Sequence, residues 1–109
     1  LKDQISFDTF QKLDIRVAEI LSVEEVPKSD KLYKIEVDLG FEKRVVVSGI
    51  RKAYPDPNAL LGKKVAFIAN LKPAKLMGIE SQGMILAAGN DDSLEVIEIQ
   101  GAPLGIPVA

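Results

Sequence analysis

Neither cysteine nor histidine occurs in this sequence. Their absence removes thiolate nucleophiles, disulfides, zinc sites of the usual Cys/His kind and every histidine-based triad. The compartment therefore cannot be read from cysteine usage. No apolar run approaches a membrane span, and no signal-peptide pattern opens the chain, so the cytoplasm is the expected location. The first residue is Leu rather than Met, which leaves open a trimmed chain or a piece of something longer. Aromatics are few: Tyr33, Tyr54 and four Phe. A general platform for stacking single-stranded bases wants more of them exposed. Carboxylate pairs such as Asp91-Asp92 and Glu24-Glu25 fall in a turn or at a strand end, where solvated charge is ordinary. Ser48-Gly49 and Ser81-Gln82-Gly83 lack a histidine partner, and no phosphate-cradling glycine motif is present. No catalytic residue, metal site or cofactor is expected.

What remains is enough for a core. The chain has 109 residues, 47% of them hydrophobic, and folding at this length buries roughly two-thirds of the surface of the unfolded chain. A single domain over residues 1–109 is expected, with no linker, repeat or low-complexity tract. Net charge is −2, unevenly spread. Residues 1–30 carry a net −3, residues 31–80 a net +5 and residues 81–109 a net −4. The middle is basic and the ends are acidic, either as scatter on a solvated surface or as the footprint of an anionic partner.

Local patterns predict an all-β chain. Ser6 can cap a short helix on which Phe7, Phe10 and Leu13 share a face. Asp14 to Val26 predicts a long strand, bulged because its apolar positions shift from odd to even, and Pro27-Lys28-Ser29-Asp30 turns the chain. From Leu32 to Leu39, Tyr33, Ile35, Val37 and Leu39 alternate with polar residues, giving one buried face and one wet face. Gly40-Phe41-Glu42 closes a hairpin into a third strand, Arg44 to Ile50. Asp56 and Pro57 start a short helix that Gly62 ends. Val65 to Leu71 is a fourth strand with Val65, Phe67, Ala69 and Leu71 on one side. Lys72 to Gly83 is an irregular crossing, Met84 to Ala88 a fifth strand, and Asn90-Asp91-Asp92 turns into Leu94 to Ile99. A terminal loop follows, with Val108 tucking back.

Three strands, a helix and two further strands is the order of a five-stranded oligonucleotide-binding (OB) barrel, with a short N-terminal helix and a C-terminal extension. An SH3-like barrel is the competitor, and the helix between strands three and four argues against it. OB barrels bind ligands across strands two and three, flanked by the loops joining strands one to two and four to five. Here those segments carry Lys28 and Lys31, then Lys34, Lys43 and Arg44, then Asn70, Lys72 and Lys75. Lysines suit phosphates as point charges, and Arg can grip them with two nitrogens. The alternative is that the lysines only keep two loops soluble.

Five runs carry a family resemblance: Phe10-Gln11-Lys12-Leu13-Asp14-Ile15-Arg16-Val17, Ser29-Asp30-Lys31-Leu32, Val47-Ser48-Gly49-Ile50, Ala69-Asn70-Leu71-Lys72-Pro73-Ala74-Lys75 and Gly78-Ile79-Glu80-Ser81-Gln82-Gly83-Met84. Together, in this order, they resemble the tRNA-binding domain family. That family includes the C-terminal domain of bacterial methionyl-tRNA synthetase, free-standing structure-specific tRNA-binding proteins, the chaperone-like CsaA proteins and cytokine-like domains of eukaryotic synthetase cofactors. Lys31-Leu32, Tyr54-Pro55-Asp56-Pro57 and Gly83-Met84 resemble the methionyl-synthetase branch most. The resemblance implies an OB barrel without enzymatic activity that binds tRNA by shape, assists methionyl-tRNA synthetase as its subunit or C-terminal domain, and forms a homodimer through the N-terminal helix and C-terminal extension. Phe7, Phe10, Leu104, Ile106 and Val108 could form such a patch or simply plug the barrel. By position, the resemblance places Asn70, Lys75, Ser81 and Met84 around the tRNA face, joined by Lys31 and Arg44. Asn70 and Ser81 could touch RNA or pin loops, and Met84 could touch RNA or pack in the core. Ala74 stands where the family often has a basic residue. Two rival functions share the fold: an export chaperone that binds unfolded polypeptide, and a pure dimerisation module.

Overall fold

Alternation builds the centre of the sheet. Tyr33, Ile35 and Val37 are each 0% exposed, while Lys34, Glu36 and Asp38 between them reach solvent. Strand β2 (Tyr33–Asp38) therefore turns one face inward, at about 1.5–3 kcal/mol for each large apolar side chain buried. The computed structural model describes residues 1–109, apart from the side chain of Asp91. β2 pairs antiparallel with β1 (Ile15–Glu25) and with β3 (Lys43–Ser48). β1 also pairs with β4 (Lys64–Ile68), and β4 with the two-residue β7 (Met84–Ile85). The order β3-β2-β1-β4-β7 makes one curled, five-stranded sheet of the OB type around Tyr33, Ile35, Val37, Phe67 and Leu60.

The bulge in β1 is present. Its register with β2 slips between Ile20 and Ser22, so the core-facing positions change from Ala18 and Ile20 to Val23. The parity change at the bulge thus runs from even to odd, opposite to the expected sense. Ser6 caps α1 (Phe7–Phe10) by accepting from the Thr9 amide at 3.1 Å, but no residue of this single turn is buried. The segment after β3 is a 3-10 turn, Pro57–Ala59, with Asp56 accepting from the Asn58 amide at 3.0 Å. Its purpose in packing is Leu60, which is fully buried at the end of the core.

Three expectations need correction. Lys72 to Gly83 is not irregular: β5 (Ala74–Leu76) and β6 (Ile79–Ser81) form an antiparallel hairpin in which Lys75 faces Glu80. The fifth strand is broken into β7 and β8 (Ala87–Ala88), the latter paired with β9 (Glu95–Val96). Leu71 lies beyond β4 and is exposed. Gly83 explains the sharp passage from β6 to β7. Its φ is +133°, and a Cβ there would run into the Phe67 ring and lie 2.6 Å from the Ile68 carbonyl oxygen.

The C-terminal extension does return. It lies along the lower half of β1, where β2 has ended: the Gly105 amide donates to Val17 O at 2.8 Å, Val17 to Ile106 O at 3.1 Å and Val108 to Ile15 O at 2.7 Å. No helix among the described residues is long and apolar enough to cross a membrane.

Candidate nucleic-acid interface

The sheet has two edges, β3 and β7, and side chains close the gap between them. The Val47 amide donates to the Ser81 hydroxyl at 3.0 Å, and the Val45 amide to Gln82 Oε1 at 3.1 Å. The Gln82 amide donates back to Val45 O at 2.9 Å. The β5–β6 hairpin is thereby laid beside β3 as a further layer of the same surface. Ser81, only 6% exposed, is committed to this seam.

Register then fixes what lies side by side. Glu24 pairs with Lys34, Lys34 with Val47, Val47 bonds to Ser81, and Ser81 pairs with Ala74. Because β6 runs opposite to β3, the hairpin tip Met77-Gly78 extends toward the Gly49 end. That is also the end at which β2 begins and where the Arg51 amide donates to Lys31 O at 3.3 Å. Loop 26–32, which carries Lys28 and Lys31, and the hairpin tip therefore lie at the same end of the barrel, with Lys34 on β2 and Lys75 on β5 next to that end. Lys72 sits at the hairpin's foot, next to a groove of about 320 Å³ lined by Glu42, Arg44, Ala69, Leu71, Pro73 and Gln82.

The outer face of β1–β3 is less basic than expected. Lys34 and Lys43 share it with Glu19, Glu24, Glu36 and Asp38 across the register. Arg44 is on the opposite side, in line with Val37. Positive charge is carried by the loops and the hairpin instead.

The three arginines serve the fold. Every arginine is a clip. Arg16 pairs with Asp14 at 2.9 Å, donates to Gly105 O at 2.7 Å and lies over the Phe41 ring. Arg44 pairs with Glu42 at 2.8 Å and donates to the carbonyls of Ala69 and Gln82, tying the seam. Arg51, for which the sequence alone suggests no role, pairs with Glu25 at 2.6 Å and donates to Ser29 O, fixing loop 26–32. A guanidinium can hold a carboxylate and a carbonyl at once because its donors form a planar fork. The lysines are mixed: Lys63 pairs with Glu98 at 3.0 Å and Lys64 donates to Ala102 O at 2.6 Å. Among the described residues, Lys28, Lys31, Lys34, Lys72 and Lys75 have no ion-pair partner, and all but the half-buried Lys34 are exposed.

Asn70 is also engaged. Its Oδ1 accepts from the Asp14 amide at 2.8 Å and its Nδ2 donates to Lys12 O at 2.6 Å, fastening the start of β1 to the end of β4. Met84 is 45% exposed rather than in the core, at the rim of an apolar groove of about 320 Å³ with Val47, Gly49, Ile50, Leu86 and Leu94. Two backbone outliers fall in the loops that flank β2 and β3: Lys28 (φ +67°) and Met77 (φ +51°) are the only non-glycine residues with positive φ among those described. The left-handed conformation costs an L-residue roughly 1–2 kcal/mol. Of the two carboxylate pairs, Glu25 is held by Arg51, and the Asp91 side chain lies outside the described residues.

Comparison with known proteins gives the family and the fold. The family model described as "Putative tRNA binding domain" matches residues 15–107. A methionine-tRNA ligase of Deinococcus radiodurans is 56% identical over 103 residues, covering 94% of this chain and 15% of the ligase. A MetRS related protein from Pyrococcus horikoshii superposes with a TM-score of 0.91 at 36% identity, covering 99% of this chain and all of the other. The chaperone CsaA from Bacillus anthracis shares the fold, with a TM-score of 0.87 at 22% identity over 98% of this chain and 100% of its own. The chain thus spans about 15% of the length of the curated ligase it matches.

Proposed function

This chain belongs to the tRNA-binding domain family, and we propose from that premise that it binds tRNA without catalysis, through the lysine-bearing end of the barrel, on behalf of methionyl-tRNA synthetase in the cytoplasm. The single observation that supports this most is that the three arginines are all engaged by carboxylates and carbonyls of the fold, while Lys31, Lys34, Lys72 and Lys75, on the two flanking loops, β2 and the hairpin, are in no ion pair among the described residues. In this reading those lysines neutralise phosphates. Arg44, Asn70 and Ser81 act by holding the seam and loops in place, and Met84 supplies a soft apolar contact. Recognition is of shape and backbone, so little preference among tRNA species is expected. Affinity per domain is modest, because Glu24, Glu36 and Asp38 lie close by. A tether to the synthetase, as its subunit or C-terminal domain, compensates by raising effective concentration.

Dimerisation would add a second site. Phe7 is 69% exposed on α1, and Phe10, Leu13, Ile106 and Val108 also reach solvent. An apolar surface of this kind fits a two-fold contact with a second copy.

A gel-shift titration with bulk tRNA across ionic strengths tests the proposal. Four phosphate contacts per domain predict a log–log salt slope of about −3 to −4. Binding that survives moderate salt and is not competed by tRNA would instead favour a polypeptide-binding chaperone. No tRNA retention at low salt would leave only a dimerisation module.

A further inference from the structure

The β5–β6 hairpin ends in a turn that its sequence is poorly suited to make. Leu76 pairs with Ile79, so Met77 and Gly78 form a two-residue loop, with φ of +51° and +79°. Positive φ at both positions is the type I′ geometry, which favours Asn or Asp before Gly because short polar side chains tolerate it. Gly78 fits and Met77 does not. Burial offsets little of the cost, since the Met77 side chain is 54% exposed.

The neighbours say what such a tip could meet. Leu76 beside it is also exposed, and Lys72 and Lys75 on the same arm are exposed and in no ion pair among the described residues. The base of the arm is fixed to β3 by Ser81 and Gln82. The result is an anchored arm with an apolar, polarisable end and a cationic shaft. Its charge complements a polyanion, and its end suits the face of an aromatic ring, since a thioether packs favourably there. In RNA, rings free to be met in this way are the unstacked bases of loops. The other left-handed residue, Lys28, stands in the loop at the same end of the barrel. Backbone outliers gathered at one end are the kind of observation from which a functional role is inferred.

We propose that Met77 is a base-contacting residue, its side chain lying on an unpaired base of tRNA while Lys75 and Lys72 hold adjacent phosphates. This rests on the tRNA-binding reading and adds to it a contact that does not depend on charge.

Met77→Asn tests the proposal, because Asn accepts the left-handed turn. The variant should melt at or above the wild-type temperature, yet bind bulk tRNA about two- to tenfold more weakly with an unchanged salt slope. Its affinity for a blunt RNA duplex without unpaired bases should match the wild type. A second measurement is direct. With two methionines in the chain, a methyl-labelled sample gives two signals, assigned by the variant, and the Met77 methyl should move upfield on tRNA addition through the ring current of a base. Wild-type tRNA affinity in the variant, an equal loss on the duplex, or a Met77 methyl unmoved at saturation would overturn the proposal and leave tRNA binding intact. Failure of the wild type to bind tRNA at all would remove both.

Discussion

The Val47 amide, on the edge of the sheet, is satisfied by the hydroxyl of Ser81, 34 residues further on and 3.0 Å away. A side chain, not a strand, completes this part of the barrel. Ser81→Ala leaves a buried donor without an acceptor, which costs about 1–3 kcal/mol. At roughly 4–8 °C per kcal/mol for a domain of this size, the thermal midpoint should fall clearly. The salt slope of tRNA binding should stay as it was, since no phosphate contact is removed. A variant that melts like the wild type but binds tRNA several-fold more weakly would make Ser81 an RNA contact instead.

Lys31 stands in the loop before β2 and Lys75 on β5, and among the described residues neither has an ion-pair partner. Lys31→Glu combined with Lys75→Glu should reduce tRNA affinity by tenfold or more and lower the salt slope by about two. Circular dichroism should be unchanged and the thermal midpoint should fall only slightly, because the one structural cost is a like charge set opposite Glu80 in the exposed hairpin. Wild-type binding by the double variant would remove these lysines from the interface.

Phe7 and Phe10 face solvent with their ring centroids 6.3 Å apart. If they meet a second copy, Phe7→Ala with Phe10→Ala should shift the molecule to monomer in sedimentation or sizing, while each domain keeps its fold. A sample that is monomeric before the change would refute the dimer.

Burial raises the ionisation of the Tyr33 hydroxyl above its ordinary value of 10.0, with Arg51 opposing and Glu25 and Asp56 reinforcing the shift. The neutral form is the one the fold accommodates, donating to Tyr54 O at 2.6 Å. Below the ordinary value Tyr33 is neutral in both states and its contribution to stability is complete. As pH rises past that value the unfolded chain ionises first, and stability falls until the folded value is reached. Tyr33→Phe should be less stable at neutral pH through the lost hydrogen bond, and its alkaline fall should be shallower. Parallel melting curves against pH for the two proteins would exclude this origin.

How far the fold was legible depended on period and capping. Tyr33, Ile35 and Val37 announce a half-buried strand because strict alternation over six residues fits a pleated strand and does not fit a helix. Asp56-Pro57 announces a turn start through the amide it leaves to be capped. The β5–β6 hairpin was hidden because three-residue strands have no measurable period, and because Met77 occupies a position where Asn would have signalled the turn. The seam was hidden for a different reason: Ser81 and Gln82 bond to backbone far away in the chain, and no local pattern encodes that. Arg44 counted as a phosphate ligand in the sequence because the same guanidinium that grips phosphate also grips carbonyls. The lysines of the two flanking loops were legible as charge, whereas the acidity of the strands between them emerged only with register.

A hairpin fastened by a few side-chain bonds and a single backbone bond differs mechanically from one woven into a ladder. The arm can detach from β3 by releasing Ser81 and Gln82, while the pairing of β1, β2 and β4 stays whole. Such hydrogen bonds contribute about 0.5–1.5 kcal/mol each, so this partial opening lies well below global unfolding, as local excursions do. Amides of β5 and β6 should accordingly take up deuterium sooner than those of β1 and β2, making the arm a compliant element on a stiff frame.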